Sequence, residues 1–310
     1  MPPYDIDKRL VIGVASSALF DLADADRIFK AEGEQAYREY QREHQNDCLA
    51  KGIAFPFIKR FLKLNDRFGE KNPVEVVLLS HNDPDTGLRV FNSIKEHCLN
   101  ISRAVFLTGA SPFEYIAAFN VALFLSGNED DVNEAISQGY AAGLVMKSNI
   151  ADDDNDDELR IAFDFDGVLA DDSAEKIYQA NGLSEFTKTE QDQASIAHPP
   201  GPLKNLFQKL SYFHNIELRM QQRDPNFKRL LKISIVTARG APTHERVVTT
   251  LREWGVSVDQ TFFLGGIDKG RIMKTLRPHI FFDDQQGHLE STGKYTPSVH
   301  IPLGIANEKK

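Results

Sequence analysis

The sequence contains little of what marks several large classes of protein. Its 310 residues include two cysteines, Cys48 and Cys98, which are too few for a disulfide framework and have no metal-ligand pairing around them. No run approaches the roughly 18 apolar residues of a membrane span, and residues 1–8 lack the basic start and apolar middle of a signal peptide. We therefore expect a cytoplasmic protein with reduced thiols and no membrane partner.

An excess of basic residues is also absent. The 36 lysines and arginines are outnumbered by 45 aspartates and glutamates, for a net charge of −9. Nucleic-acid phosphates are contacted through basic surfaces, so this balance excludes a general nucleic-acid binder, although a local positive pocket can still hold a small anionic substrate. The composition, 41% hydrophobic and 26% charged, is typical of a globular protein, and the length favours two domains.

A dense acidic block at 152–158 divides the chain. Because such blocks usually stay solvated, we interpret 151–158 as a linker between a first domain at 1–150 and a second domain at 159–310. A metal-binding role for the block is the weaker alternative.

Strand-like and helix-like segments alternate along the first domain. Short apolar runs rich in β-branched residues predict strands at 9–15, 74–79, 103–107 and 121–125. Helical spacing or helix-forming composition predicts helices at 24–30, 36–44, 55–62, 87–97, 114–120 and 131–140. This alternation indicates an α/β fold whose mainly parallel sheet is covered by helices on both faces.

The second domain repeats the order of the first. Residues 24–33 align with 173–182 at an offset of 149 (182 − 33), which Gly52 and Gly201 keep. After a gain of residues around 221–228 the offset becomes 157 (266 − 109), where 106–109 meets 263–266. Agreement across several elements in one order favours a tandem duplication over a chance likeness between two βα units.

Four strand ends in the second domain carry groups suited to one catalytic site. In chain order they are Asp164 with Asp166, Thr237, Lys269, and Asp283 with Asp284. Ligands of open parallel sheets bind beyond the carboxyl ends of the strands, so we expect these groups to share a pocket. Any one of them alone is more often structural, but four in this order favour catalysis.

Each of these residue types suits phosphoryl transfer. Asp164 can attack phosphorus to form an aspartyl-phosphate, and Asp166 can protonate the leaving oxygen and later deprotonate a water. Thr237 offers a hydroxyl to a phosphoryl oxygen, and Lys269 offers a fixed positive charge.

A magnesium ion is the expected cofactor. Mg²⁺ takes oxygen ligands, which Asp164 together with Asp283 or Asp284 supplies. The backbone carbonyl of Asp166 is a plausible further ligand.

The motif set resembles that of the haloacid dehalogenase-like phosphohydrolase superfamily. Segments across nearly the whole chain also look like the cytosolic type I 5′-nucleotidases; they are Ser16-Ser17-Ala18-Leu19-Phe20, Gly52-Ile53-Ala54-Phe55-Pro56-Phe57, Gly201-Pro202-Leu203, Val236-Thr237-Ala238-Arg239 and Arg277-Pro278-His279-Ile280-Phe281-Phe282-Asp283-Asp284-Gln285. The resemblance implies two tandem haloacid dehalogenase-like, Rossmannoid parallel-sheet halves, the second catalytic and the first degenerate.

The same resemblance implies an activity and its partners. It points to Mg²⁺-dependent hydrolysis of nucleoside 5′-monophosphates, AMP preferentially, with a nucleotide such as ADP as a candidate effector. We expect Thr237, Ala238, Arg239 and Lys269 to bind the substrate. The sequence leaves open whether the protein forms a homo-oligomer. Two alternatives remain: a phosphatase of other small phosphomonoesters such as sugar phosphates, and a nucleotide-binding regulator without turnover.

The first domain loses the chemistry when the offsets are carried into it. Asp164 falls on Ala15, Asp166 on Ser17, Thr237 on Ser80, Lys269 on Pro112, and Asp283-Asp284 on Ser126-Gly127. We expect this half to be catalytically dead and to serve packing, substrate enclosure or effector binding. Polar loops at 16–17, 80–83 and 108–111 motivate the effector hypothesis.

Two further features of the second domain each have two interpretations. Residues 173–200 are expected to form a small cap, in which Tyr178 and Phe186 either stack on a base or belong to the core. Arg239 either holds the substrate phosphate or forms a surface ion pair.

Overall fold

Two units make up the chain, Met1–Val145 and Met146–Lys310, named here the first unit and the second unit. A computed structural model describes residues 5–68 and 73–307 of them. Each unit is built on a parallel β-sheet connected through helices, which confirms the predicted α/β class. In the described part of the chain, no helix has both the length and the apolar character that crossing a membrane requires.

The first unit contains five parallel strands. They are β1 (Leu10–Val14), β2 (Val74–Ser80), β3 (Arg103–Phe106), β4 (Val121–Ser126) and β5 (Ala142–Val145). Their spatial order is β3-β2-β1-β4-β5. Every residue of β1 and β2 is buried, as expected for parallel strands whose two faces are both covered.

Six α-helices connect these strands among the described residues. They are α1 (Ser16–Leu19), α2 (Ala23–Glu32), α3 (Glu34–Glu43), α4 (Phe55–Phe68), α5 (Gly87–Glu96) and α6 (Glu129–Ser137). The longest, α4, buries Phe57, Ile58 and Phe61, whose helical spacing makes one apolar face. The helix predicted at 114–120 is wrong: a 3₁₀ turn at Pro112–Tyr115 is followed by turns, and Pro112 begins that short element.

The second unit contains five strands and five α-helices in the described residues. The strands are β6 (Leu159–Phe163), β7 (Leu231–Thr237), β8 (Gln260–Phe263), β9 (Ile280–Asp283) and β10 (Ser298–His300). The helices are α7 (Ser173–Asp192), α8 (Lys204–Arg223), α9 (His244–Glu253), α10 (Lys269–Leu276) and α11 (Gln286–Thr292). The strands are parallel in the order β8-β7-β6-β9-β10. This corresponds strand by strand to the order β3-β2-β1-β4-β5 of the first unit.

The strands of the two units also pair in the same register. Leu10 pairs with Val74 in the first unit and Leu159 with Leu231 in the second, which gives offsets of 149 (159 − 10) and 157 (231 − 74). Gly33 and Gly182, also 149 apart, have the same left-handed backbone, with φ near +85° and +78°. The two units therefore follow one plan. Gly182 has non-helical backbone angles inside α7, in the middle of the segment expected to form a cap.

One predicted correspondence is wrong. Ala15 N donates to Leu125 O as Asp164 N donates to Phe282 O, which keeps the offset of 149 at this point. A little further on, Ala18 O accepts from Ala54 N as Val168 O accepts from Leu203 N, which gives an offset of 150 (168 − 18). The second unit thus has one additional residue in the loop after its first strand, so Asp166 has no single counterpart at Ser17.

Candidate functional site

The predicted site residues lie at the carboxyl ends of neighbouring strands in the second unit. Asp164 follows β6 and Asp283 ends β9, and the two strands pair through Phe163 and Phe282. Thr237 ends β7, which pairs with the other side of β6. Lys269 is the first residue of α10. The parallel register therefore places these side chains around the end of β6, as the sequence predicts.

Lys269 joins the two central carboxylates. Its ammonium lies 2.6 Å from Asp164 Oδ2 and 2.7 Å from Asp283 Oδ2, and all three side chains are buried. The other oxygen of Asp164 accepts from Phe165 N at 2.7 Å. A lysine held between two carboxylates keeps its charge in a buried place where an isolated ammonium would be costly.

Burial and charge shift the pKa values of this cluster in opposite directions. Burial opposes the charge of Lys269, but the Asp164 and Asp283 carboxylates hold its pKa above the ordinary value. Burial raises the pKa of Asp164 more than Lys269 lowers it. For Asp283, burial acts upward, yet the Lys269 ammonium and the His288 ring together hold the pKa below its usual range.

Asp284 carries an unsatisfied carboxylate oxygen. The side chain is buried, and its Oδ1 finds no hydrogen-bond partner in the described residues. Burial, followed by the negative charges of Asp164 and Asp283, raises the pKa of Asp284 to about 9. A Cβ at Gly167 would overlap this carboxylate, and the φ of Gly167 is +70°, so glycine lets the Asp164–Gly167 loop lie directly against Asp284.

These carboxylates fit a hard divalent cation. Asp164, Asp283 and His288 each offer a ligand atom within 4.8 Å of one another. Both oxygens of Asp283 are however engaged, one by Lys269 and one by Gln285 N, and Mg²⁺ prefers oxygen to imidazole. The unpartnered oxygen of Asp284 beside Asp164 is therefore the better oxygen donor of the two strand-end carboxylates.

The guanidinium of Arg239 binds the carboxylate of Asp166. Its Nε and Nη2 donate to the two oxygens of Asp166, each at 2.7 Å, in the bidentate geometry that fixes a carboxylate plane. The guanidinium is buried and lies between the rings of Phe165 and Phe186, 5.7 and 5.3 Å from their centroids. Of the two interpretations of Arg239 offered by the sequence, the ion pair is present, but it is buried within the site.

Glu190 on α7 connects Arg239 to the neighbouring helix α9. Its carboxylate contacts Arg239 Nη1, Arg246 Nη1 at 2.8 Å and His198 Nε2 at 3.1 Å. Burial acts upward on its pKa, but the His198 hydrogen bond and the charge of Arg239 outweigh it and lower the pKa of Glu190 to about 2. The carboxylate is thus charged, almost completely buried at 1% exposure, and shared among three partners.

The remaining predicted residues lie beside this cluster. Thr237 is buried, and its Oγ1 accepts from Arg239 N at 3.2 Å. Ala238 is exposed, and its carbonyl accepts from Gly266 N, which joins the loops after β7 and β8. Tyr178 is 47% exposed and meets Phe186 edge to face, with centroids 6.1 Å apart. Phe186 therefore belongs to the wall around Arg239, while Tyr178 presents an open ring face.

Four residues of the site are not predicted from the sequence: Glu190, His198, Arg246 and His288. Three of them belong to contacts that join α7, α9 and the loop before Gly201, and no local motif marks such long-range pairs. A signal was available, however. Arg89-Val90 and Arg246-Val247 match in the internal repeat, so a duplicated arginine was visible.

The family model described as 5′-nucleotidase matches residues 2–308. Cytosolic 5′-nucleotidase 1B of Homo sapiens is 32% identical over 287 residues, which cover 91% of this chain and 47% of that protein. This chain thus spans about half the length of that curated relative.

Among solved structures, histidinol dehydrogenase from Elizabethkingia anophelis aligns with a TM-score of 0.21 and 8% identity, over 96% of this chain and 80% of that one. A similarity this low carries no structural or functional argument. The match of the family model over almost the entire sequence, together with the identity to the human protein, shows that this chain belongs to the 5′-nucleotidase family.

Proposed function

We propose that the protein hydrolyses nucleoside 5′-monophosphates, AMP foremost, to a nucleoside and phosphate through an aspartyl-phosphate on Asp164. The observation that carries the proposal is the contact of Lys269 with both Asp164 and Asp283 at the end of β6. A buried cation at the nucleophile serves a reaction in which negative charge gathers on a transferring phosphoryl group. Family membership supports the choice of a nucleotide substrate.

The two carboxylates after β6 divide the chemistry between them. An oxygen of Asp164 attacks phosphorus, the bond from phosphorus to the 5′ oxygen breaks, and Asp166 gives that oxygen a proton. Asp166 then takes a proton from the water that attacks the aspartyl-phosphate, which releases phosphate and restores Asp164. Arg239 binds both oxygens of the ionised Asp166 carboxylate and so fixes its orientation for the second step, in which Asp166 is the base.

Magnesium is the proposed cofactor. Asp164, the Asp166 backbone carbonyl and Asp284 would hold it directly, while Asp283 would remain the partner of Lys269. When bound, Mg²⁺ neutralises charge on the phosphoryl oxygens. Thr237 and the loop through Ala238 lie at the next strand end, where a hydroxyl and backbone groups are available to the phosphate.

The first unit is proposed to have no catalytic role of its own. Its strand ends carry Ala15, Ser80 and Pro112 at the positions of Asp164, Thr237 and Lys269. A cytoplasmic location is proposed as well, because the human relative is named a cytosolic enzyme.

Phosphate release from a panel of phosphomonoesters tests the proposal. Nucleoside 5′-monophosphates and sugar phosphates are compared at equal concentration, with Mg²⁺ and with a chelator. We expect release from the nucleotides, AMP first, only with Mg²⁺. Preferential release from sugar phosphates would identify a different phosphatase, and nucleotide binding without any release would identify a regulator. Either result overturns the proposed function.

A further inference from the structure

A cavity of about 780 Å³ lies at the strand ends of the first unit. Its position in the first unit is equivalent to the position of the carboxylates in the second unit. Its lining comes from the loops after β1, β2, β3 and β4 and from helices α2 and α3, all within the first unit. The volume falls in the range that small-molecule ligands occupy. The unit without catalytic groups has therefore kept a pocket.

One wall of this cavity carries a hydrogen-bond donor that has no partner among the described residues. Arg89 Nη1 donates to Gln41 Oε1 at 3.2 Å, Gln41 Nε2 donates to the Tyr37 hydroxyl at 3.1 Å, and that hydroxyl donates to Asn82 Oδ1 at 2.8 Å. An arginine can only donate, so the direction of the whole chain is fixed. The free end is Asn82 Nδ2, which is buried and has no hydrogen-bond partner within residues 5–68 and 73–307.

An unsatisfied buried donor is costly, and a ligand acceptor placed against it would remove that cost. Asn82 lines the cavity. A ligand that presents an oxygen or a ring nitrogen to the Asn82 amide would satisfy this donor.

An aromatic pair lines the same cavity. Phe29 and Tyr37 meet edge to face, with centroids 5.8 Å apart and planes at 87°. Phe29 is 51% exposed, which leaves a ring face open. Tyr178 and Phe186 form the equivalent pair in the second unit, at the same offset of 149 (178 − 29), with centroids 6.1 Å apart and planes at 78°. Both units thus present one exposed aromatic ring at the same point of the fold.

The charge of the cavity disfavours a phosphate. Its described lining includes six carboxylates: Asp26, Glu34, Asp83, Glu129, Asp130 and Asp131. Of the basic side chains there, Arg38 is paired with Asp83 at 2.5 Å and His81 with Asp131 at 2.6 Å, which leaves Lys30 on the exposed side of α2. The position of Lys269 is occupied by Pro112. A dianionic phosphate would face a net negative wall, whereas ligand hydroxyls would find acceptors.

We propose that the first unit binds a nucleoside in this cavity, with its base stacked on Phe29 and an acceptor of the base or the sugar at Asn82 Nδ2. The choice of a nucleoside among flat, neutral, hydroxylated ligands rests on the proposed function, because a nucleoside is the product of the second unit. The duplicated fold then holds two related sites: one that cleaves the phosphate ester and one that takes the same molecule without its phosphate.

Calorimetric titration of the full chain with adenosine, guanosine, cytidine and uridine tests this proposal. At least one nucleoside is expected to bind, and Phe29→Ala is expected to weaken that binding about tenfold, the usual effect of removing one stacked aromatic. Tyr178→Ala is the matched control, because that ring is equally exposed at the equivalent position of the second unit. Asn82→Asp, which keeps the shape but replaces the free donor with an acceptor, is expected to weaken binding as well.

Three results would overturn the proposal. They are no binding of any of the four nucleosides at millimolar concentration, binding that Tyr178→Ala weakens and Phe29→Ala does not, and a Phe29-dependent site in Asp164→Asn protein that prefers a nucleoside 5′-monophosphate about tenfold over its nucleoside. Thermal unfolding of each variant shows that the fold is intact. A protein that binds nucleosides through Phe29 but releases no phosphate from any monophosphate would overturn the proposed function and leave this proposal standing.

Discussion

Two equivalent arginines, Arg89 in the first unit and Arg246 in the second, make the same kind of structural contacts. Only in the second unit does the arginine contact a carboxylate that belongs to the charged site. Arg246 donates through Nε to Ile196 O and through Nη1 to Glu190, while Arg89 donates through Nε to Asp47 O and through Nη1 to Gln41. A hydroxyl below each arginine also accepts from an equivalent backbone N–H: Thr250 from His198, and Ser93 from Leu49. Contacts that both units keep are therefore structural.

The difference lies one residue further along each network. In the second unit Glu190 reaches Arg239, which holds Asp166. In the first unit neutral Gln41 reaches Tyr37 and then Asn82, and no carboxylate follows β1. An internal copy without the chemistry thus separates the groups that hold the fold from the groups that serve the reaction, and the following substitutions test that separation.

Asp164→Asn should have the largest effect. The amide is nearly isosteric but a poor nucleophile, so we expect phosphate release to fall by about 10³-fold or more. Steady-state phosphate release by purified protein with Mg²⁺ measures it. Equal rates for wild type and variant would contradict the assignment of the nucleophile.

Lys269→Met should have the second largest effect. We expect kcat to fall about 10²- to 10³-fold, because the variant removes the cation that faces the transferring phosphoryl group. It also leaves Asp164 and Asp283 without their shared partner, so circular dichroism must show that the variant is folded. Pro112→Ala, at the equivalent position of the first unit, is the control and should stay within about twofold of wild type. A loss in Pro112→Ala as large as in Lys269→Met would break the comparison.

Glu190→Gln installs in the second unit the residue type that the first unit has at Gln41. The scaffold contact with Arg246 can persist, but the charge that holds Arg239 is lost, so Asp166 is less well oriented. We expect kcat to fall about 10- to 100-fold with little change in KM. A purely structural role for Glu190 would instead lower the melting temperature and leave kcat per folded molecule unchanged.

The stability of wild type relative to Glu190→Gln should depend on pH. Because the pKa of Glu190 falls from an ordinary 4.5 to about 2 on folding, the charged carboxylate stabilises the fold above about pH 4.5, and this stabilisation is lost as pH falls toward 2. The shift corresponds to about 3 kcal/mol. Urea unfolding should therefore show the difference between the two proteins shrinking from about pH 6 to about pH 3.

A matched control for this pH dependence is available in the first unit. Gln41→Ala removes a neutral hydrogen-bond partner of Arg89, so its cost should not vary with pH. A Glu190→Gln difference that stays constant over the same range would show that Glu190 gains no net stabilisation from its charge.

The sequence predicts the strands better than the network between them. Apolar runs such as those at β1 and β2 predict buried parallel strands. The motif at Asp164 predicts the strand end at which the site lies. Strands β5 and β10 are short, at Ala142–Val145 and Ser298–His300, and depend on pairing with neighbours rather than on a pattern of their own. Local patterns therefore predict the other strands of each unit and miss β5 and β10.

The roles of Arg239 and Asp284 needed the structure for a different reason. Arg239 and Asp166 are 73 residues apart, and the choice between a phosphate ligand and an ion pair depends on whether a carboxylate lies within reach. The choice between Asp283 and Asp284 likewise depends on which oxygens are already engaged. Composition at a strand end predicts that a site exists there, whereas contacts distant in sequence decide what each side chain does.

Trapping the covalent intermediate tests the central claim most directly. The protein is mixed with a nucleoside 5′-monophosphate and Mg²⁺, quenched, reduced with borohydride, which converts an aspartyl-phosphate to homoserine, and analysed by peptide mass spectrometry. We predict homoserine at position 164 in the second unit and none in the first. Turnover without reduction at Asp164, or reduction only at another carboxylate, would contradict the proposed mechanism.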